Sequence, residues 1–240
     1  MSEATAPIEV GMPLRGEWAA LSTPAFRVPS HGTDFFAQTY AFDFVRLGGA
    51  ARPKPSSRQL FRNGGVLKFL TLGIPLAEFY GYGEPIHAPF DGTVVTSRDG
   101  LAERDPVLIP RDLYVALRNG LRSEEQIRAD IPRIAGNYLI LQATSPGLYA
   151  VLAHCKTGSV RPRVGERITR GEVIAKVGHS GNSTAPHLHF QLMNAADPLA
   201  AQGLPCCFDR YERRVGTEWQ TVTRGIPNRG EVFRVSEGAR

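Results

Sequence analysis

The stretch Gly178-His179-Ser180-Gly181-Asn182-Ser183-Thr184-Ala185-Pro186-His187-Leu188-His189-Phe190-Gln191-Leu192 constrains the fold most. A run rich in Gly, Asn, Ser and Pro gives way to alternating residues, the pattern of a turn feeding a β-strand that starts near Pro186. Side chains two apart on a strand share a face. His187, His189 and Gln191 therefore point one way, and Leu188, Phe190 and Leu192 point the other, into a core. Two imidazoles about 7 Å apart on one strand face are costly to bury without partners and useful around a metal. A half-exposed strand that happens to carry two histidines is the plain alternative.

With 240 residues, the chain has room for one domain with insertions. Its hydrophobic content of 42% and charged content of 21% exclude general disorder. The net charge of +5 is spread over scattered arginines, without the aromatic and basic platform of a nucleic-acid binder. No run of about 18 apolar residues is present, so no membrane span is expected. Met1 to Trp18 lacks the basic start and apolar run of a signal peptide. The sequence thus reads as cytoplasmic, with the cell envelope open if a leader was removed. Cys155, Cys206 and Cys207 cannot make a disulfide framework and are expected as free, buried thiols.

Residues 1–35, broken by Pro7, Pro13, Pro24 and Pro29, read as an extended arm with a Ser30-His31-Gly32 turn. Gln38 to Val45 alternates, with Tyr40, Phe42 and Phe44 on one face and Thr39, Ala41, Asp43 and Val45 on the other. Asp43 is a carboxylate within a strand, where Asp is disfavoured, so it should be satisfying a partner. Residues 48–75 read as a surface insertion. Tyr82 to Val95 reads as a short strand, an Asp91-Gly92 turn and a β-branched strand, with His87 a core or edge histidine. Residues 99–135 form a second insertion, with a helix near Asp112 to Asn119 and a Ser123-Glu124-Glu125-Gln126 capping box. Asn137 to Gln142 and Leu148 to His154 read as a hairpin, with Cys155 facing away from His154. Glycines at 165, 171 and 178 punctuate short strands leading to the histidine stretch.

Taken together, Asp43, His154 and His187-Leu188-His189 give the chain a pattern that resembles the lysostaphin and LytM-type zinc endopeptidases, which cut peptide cross-links of bacterial cell walls. The resemblance is strongest over about residues 136–195. It includes the strand ending at His154, the Val164 to Gly171 segment, the Val177-Gly178-His179-Ser180-Gly181 turn and Pro186 to Phe190. Ala88 to Val95 is a second match, and Tyr40-Ala41-Phe42-Asp43 a weaker one. The resemblance implies a zinc site with Asp43 and His189 as ligands. It also implies His154 and His187 as the two non-ligating histidines, one taking a proton from water and one stabilising the oxyanion or protonating the leaving amine. Thr39 stands where the family has its other histidine ligand, and a threonine hydroxyl is a poor ligand for zinc. Either another group fills that place, with His31 the candidate, or the site is empty.

The expectation is a mostly β, antiparallel single domain over residues 36–200. A groove carries Asp43, His154, His187 and His189, walled by the loop and helical insertions at 48–75 and 99–135, and residues 201–240 pack on the domain as a tail. The expected activity is that of a zinc-dependent metalloendopeptidase acting on peptide or peptidoglycan substrates. The alternative is a catalytically inactive binding or regulatory module of the same fold. Two other classes rank low. Asn182 spoils a Gly-x-Ser-x-Gly nucleophile elbow, and Lys176 is not at the hairpin tip that a lipoyl or biotinyl carrier requires. Oligomeric state is left open.

Overall fold

The structure is a computed structural model that describes residues 6–48 and 59–236. Its strands are β1 (Ile8–Val10), β2 (Gly16–Ser22), β3 (Phe42–Arg46), β4 (Pro85–His87), β5 (Gly92–Arg98), β6 (Asn137–Ala143) and β7 (Tyr149–Cys155), followed by β8 (Arg167–Ile168), β9 (Val173–Lys176), β10 (Leu188–Met193), β11 (Gly203–Leu204), β12 (Cys206–Val215), β13 (Glu218–Gly225) and β14 (Val232–Val235). The helices are α1 (Val66–Thr71), α2 (Ile109–Gly120), α3 (Glu124–Ala129) and α4 (Ile131–Ala135).

The expected hairpin forms, with β6 and β7 paired antiparallel, and β10 lies between β7 and β3. These strands are buried on both faces, and their alternation sorts side chains into two cores. Leu139, Leu141, Ala150, Leu152, Leu188, Phe190 and Leu192 join Phe42, Phe44, Phe208 and Phe233 in the main core. Tyr138, Ile140, Val151, Ala153 and Met193 face the other way, where Ile127 of α3, Ala135 of α4 and Phe36 cover them. The second insertion thus lies over the sheet face that also carries His189 and Gln191. Within it the capping box at Ser123 is present, with Ser123 and Gln126 each bonding the other's backbone.

The main sheet runs β1-β12-β14-β2-β3-β10-β7-β6-β5-β8. It is antiparallel except for the parallel β1–β12 pair. Several expectations need correcting. The N-terminal region is not only an arm, because β1 and β2 are sheet members. The C-terminal region is not a tail but strands β12 to β14, which bring Phe208 and Phe233 into the main core. β4 pairs with β9 in a separate two-stranded sheet. The strand expected over 38–45 begins only at Phe42. Of the first insertion, residues 49–58 lie outside the described residues, and the remainder includes α1.

Candidate active site

Asp43 on β3 and His189 on β10 are directly opposed in the antiparallel ladder, a register that brings side chains on one face together. His189 Nδ1 lies 3.0 Å from Asp43 Oδ1. His31 reaches the same carboxylate from its turn, with Nε2 2.9 Å from Asp43 Oδ2. His187 Nε2 is 3.6 Å from Asp43 Oδ1, and the His154 and His187 rings are 4.7 Å apart. All five residues line one cavity of about 210 Å³, together with Gln38, Ile134, Asn182 and Thr184. Thr39 is not among its lining residues. Strand alternation does not extend back to Thr39, whose backbone carbonyl instead accepts from Ser30 N–H. That bond fastens the turn carrying His31.

His154 reaches the cavity by a local break in alternation. Continuing the pattern from Leu152 would bury His154 in the main core and turn Cys155 to the site. Instead the β6–β7 register shifts between the Asn137–Cys155 and Leu139–Leu152 pairs, and His154 takes φ +61°. This is a bulge that re-aims one side chain, at the cost of a left-handed backbone at a non-glycine residue. His154 and Ala153 both line the cavity, while Cys155 stays in the core.

Hydrogen bonds fix which nitrogen each ring presents. His154 Nδ1 is 2.9 Å from the Ser180 carbonyl, and His187 Nδ1 is 2.7 Å from the Ala185 carbonyl. A carbonyl only accepts, so both rings carry their proton on Nδ1 and leave an Nε2 lone pair. Burial, reinforced by the neighbouring His187 and His189, holds the His154 pKa well below the usual histidine value. Burial also lowers that of His187, against the pull of Asp43. Both are therefore unprotonated acceptors at neutral pH.

His189 has the opposite arrangement. Gln191 Nε2 donates to the Phe36 carbonyl at 2.9 Å, which turns Gln191 Oε1 onto His189 Nε2 at 2.9 Å. With Nε2–H donated there, the Nδ1 lone pair of His189 faces Asp43. Burial works to raise the Asp43 carboxyl, but the electrostatic pull of the neighbouring His187 and His31 imidazoles and hydrogen bonds with His189 and His31 hold it well below the usual carboxylate range. The same carboxylate raises the His189 pKa against burial. A lone pair aimed at a carboxylate requires a cation between them, a proton or a metal ion. His31, Asp43 and His189 offer ligand atoms all within 4.8 Å of one another. Two imidazoles and a carboxylate are a donor set that suits a zinc site with an open position, and Gln191 supplies the outer hydrogen bond that metal-ligating histidines use.

A larger cavity of about 460 Å³ lies elsewhere, lined by Arg15, Arg170, Arg210 and Arg234 with Asp209 and Glu212. Ion pairs Arg170–Asp209 and Arg234–Glu212 already occupy two of its guanidinium groups, and it holds none of the histidines.

The order of these residues along the chain, their meeting in one cavity, and the turn-strand unit over 178–193 are what known proteins can be compared with. Residues 124–201 match the model of peptidase family M23. The lysostaphin and LytM-type resemblance is to this family. The matched segment holds His154, His187 and His189, while Asp43 and His31 lie outside it. Among solved structures, the chain is similar to the catalytic domain of EnpA, a prophage-encoded M23 protein from Enterococcus faecalis. That likeness has 15% identity, covers 78% of this chain and 88% of the other, and has a TM-score of 0.41. The catalytic domain of the antimicrobial peptidase lysostaphin from Staphylococcus simulans is 23% identical over 56% of this chain and 81% of its own, with a TM-score of 0.33. A zinc-containing peptidase from Vibrio cholerae is 23% identical over 46% of this chain, with a TM-score of 0.30, and the chain spans 24% of that protein's length. Among curated proteins, none matches the chain.

The sequence pattern placed Asp43, His154, His187 and His189 on candidate strands, and the fold brings all four to one cavity together with His31. Gln191 was placed on the right face by alternation, but its part in orienting His189 depends on Phe36, which lies 155 positions away. The bulge at His154 leaves no pattern in the sequence.

Proposed function

We propose that the chain is a zinc-dependent metalloendopeptidase that hydrolyses peptide bonds, with peptidoglycan cross-link peptides as its substrate class. The observation that carries this reading is the paired arrangement of lone pairs. His189, with His31, aims at the Asp43 carboxylate from one side of the cavity, while His154 and His187 present unprotonated Nε2 atoms within the same 210 Å³. The match of residues 124–201 to an M23 peptidase model supports the same type of chemistry. That substrate class lies in the cell envelope, so the reading places the work there.

Asp43, His189 and His31 would hold the ion. Zinc, when bound, supplies Lewis acidity that polarises a peptide carbonyl and acidifies water. His154, neutral and anchored to Ser180, is placed to accept a proton from the attacking water. His187, anchored to Ala185, presents a second Nε2 acceptor beside it, and whichever ring takes the water's proton would return that same proton to the departing amide nitrogen. Thr39 raised the reading of an inactive module, but Thr39 lies off the site and His31 stands at the carboxylate, so nothing in the geometry favours that reading.

Elemental analysis of protein purified without chelator or histidine tag should give about one zinc per chain. Release of new amino groups from peptidoglycan should then be lost on chelation and restored by zinc. Zinc binding without cleavage of peptidoglycan or of glycine-rich peptides would overturn the peptidase assignment.

A further inference from the structure

Three groups outside the five-residue cluster form a buried line leading to His187. Asp112, in the first turn of α2, is fully buried. Its carboxylate accepts from Arg104 Nε at 2.6 Å, from Arg111 Nε at 3.1 Å and from the Leu108 backbone N–H at 2.9 Å. His179, also fully buried, points Nε2 at Asp112 Oδ2 across 3.5 Å and has no nearer partner for that nitrogen. On its other side, His179 Nδ1 is 3.0 Å from Ser183 Oγ. Ser183 Oγ lies 3.1 Å from His187 Nδ1 and 2.8 Å from the Ala185 carbonyl that His187 also uses.

Proton counting couples the two ends of this line. Ser183 has a single hydroxyl proton and two acceptors competing for it, the Ala185 carbonyl and His179 Nδ1. With the proton on Ala185, a neutral His179 must bond Ser183 through Nδ1–H, which leaves a bare Nε2 lone pair facing a carboxylate in a fully buried place. That juxtaposition is costly. With the proton on His179 Nδ1, His179 Nε2–H faces Asp112, but Ser183 Oγ is left against the Ala185 carbonyl at 2.8 Å with no proton between them; in both arrangements His187 keeps its proton on Nδ1, shared by Ala185 and Ser183.

We infer that Asp112, His179 and Ser183 are positioning residues that hold the His187 imidazole in one tautomer and orientation, so that the helical insertion at 99–135 sets the geometry of the site. The inference rests on the proposed peptidase reading for the consequence in catalysis, but not for the structure of the line itself. Arg104 ties the same insertion to the turn a second time, donating to the Gly181 and Ser183 carbonyls at 2.8 Å each.

The test uses the zinc-loaded 240-residue chain and four variants: Ser183→Ala, Ser183→Thr, His179→Phe and the Ser183→Ala, His179→Phe double variant. The first readout is the His187 ring N–H in nitrogen-15 NMR, followed for its chemical shift and its exchange with water. Faster exchange and a shifted signal in Ser183→Ala and His179→Phe, with Ser183→Thr close to the parent, is the expected result. The second readout is kinetic, a fall in kcat of about tenfold with KM and zinc content unchanged. The double variant should lose no more than either single one, since both cut the same line. An unaltered His187 signal in Ser183→Ala overturns the inference, even if His179→Phe fails to fold. If the parent cleaves nothing, the peptidase reading fails while the NMR comparison still decides the positioning role.

Discussion

The Asp43 carboxylate is the residue on which the site depends, because three imidazoles turn toward it and it stands in a strand where a carboxylate is otherwise a liability. Its partners were read from the sequence with unequal ease. His187 and His189 are legible from two-residue spacing alone, whereas His31 depends on a turn folding back over twelve positions. His154 is legible only through resemblance, since strict alternation would have buried it. Gln191 gives the sharpest residue-scale prediction. Gln191→Met keeps the volume but removes the acceptor that holds the proton on His189 Nε2, freeing the ring to present an N–H toward Asp43. Zinc affinity, measured by competition with a chromogenic chelator, should fall between about tenfold and a hundredfold, and the metal-free chain should lose about 1–3 kcal/mol because the buried Phe36 carbonyl loses its donor. His31→Ala should weaken zinc binding more than Gln191→Met does, and unchanged affinity would remove His31 from the ligand set.

At the scale of elements, the site is a junction between a sheet face and an insertion pressed against a turn. Gly136, closing α4 at φ +70°, and Gly181, in the turn at φ +67°, sit back to back. A Cβ on Gly181 would lie 2.3 Å from the Gly136 nitrogen, and one on Gly136 would lie 2.4 Å from Ser180 Oγ. Gly181→Ala should therefore cost about 2 kcal/mol or more, combining a left-handed backbone with a clash against main chain. Denaturant unfolding measures this directly. Asp112 fastens the other contact. Burial acts to raise its pKa, but hydrogen bonds from His179, Arg111 and Arg104 hold it below the usual carboxylate range. Its stabilisation is complete above the unfolded value of about 3.9 and is lost progressively as pH falls from there toward the folded value. Asp112→Asn should destabilise by about 3 kcal/mol at pH 7, and the gap between parent and variant should narrow below about pH 4. A gap independent of pH would mean that the carboxylate's charge is not what holds α2. The capping box and α2 were legible from local signals, but the destination of Asp112 was not. Its partners His179 and Arg104 come from distant or irregular segments with no period to reveal them.

For the whole molecule, the sequence reading located the histidine-bearing core of the sheet and missed its extent. Short, proline-broken segments at one end and a basic stretch at the other carry weak strand signals, yet β1, β2 and β12 to β14 are pulled into the sheet by aromatic packing rather than by local propensity. Phe208 sits 5.2 Å from Phe42, 5.8 Å from Phe44 and 5.8 Å from Phe190, and Phe233 sits 5.4 Å from Phe44. Phe42 and Phe44 flank Asp43 on β3, so the terminal strands buttress the strand that presents the carboxylate. A chain cut to residues 36–200 would lose Trp18, Phe208 and Phe233 from the main core and leave β3 an unpaired edge on its β2 side. Each such aromatic is worth about 3–5 kcal/mol when truncated in a core, and the loss of all three is comparable to the roughly 5–15 kcal/mol that holds an ordinary domain folded. The fragment should therefore show no cooperative unfolding transition. Phe208→Ala in the full chain should remain folded, with its urea midpoint lowered by an amount equivalent to about 4 kcal/mol. A cooperatively folded 36–200 fragment would show instead that the outer strands are an addition to an independently folding unit, and that Asp43 is held by β10 alone.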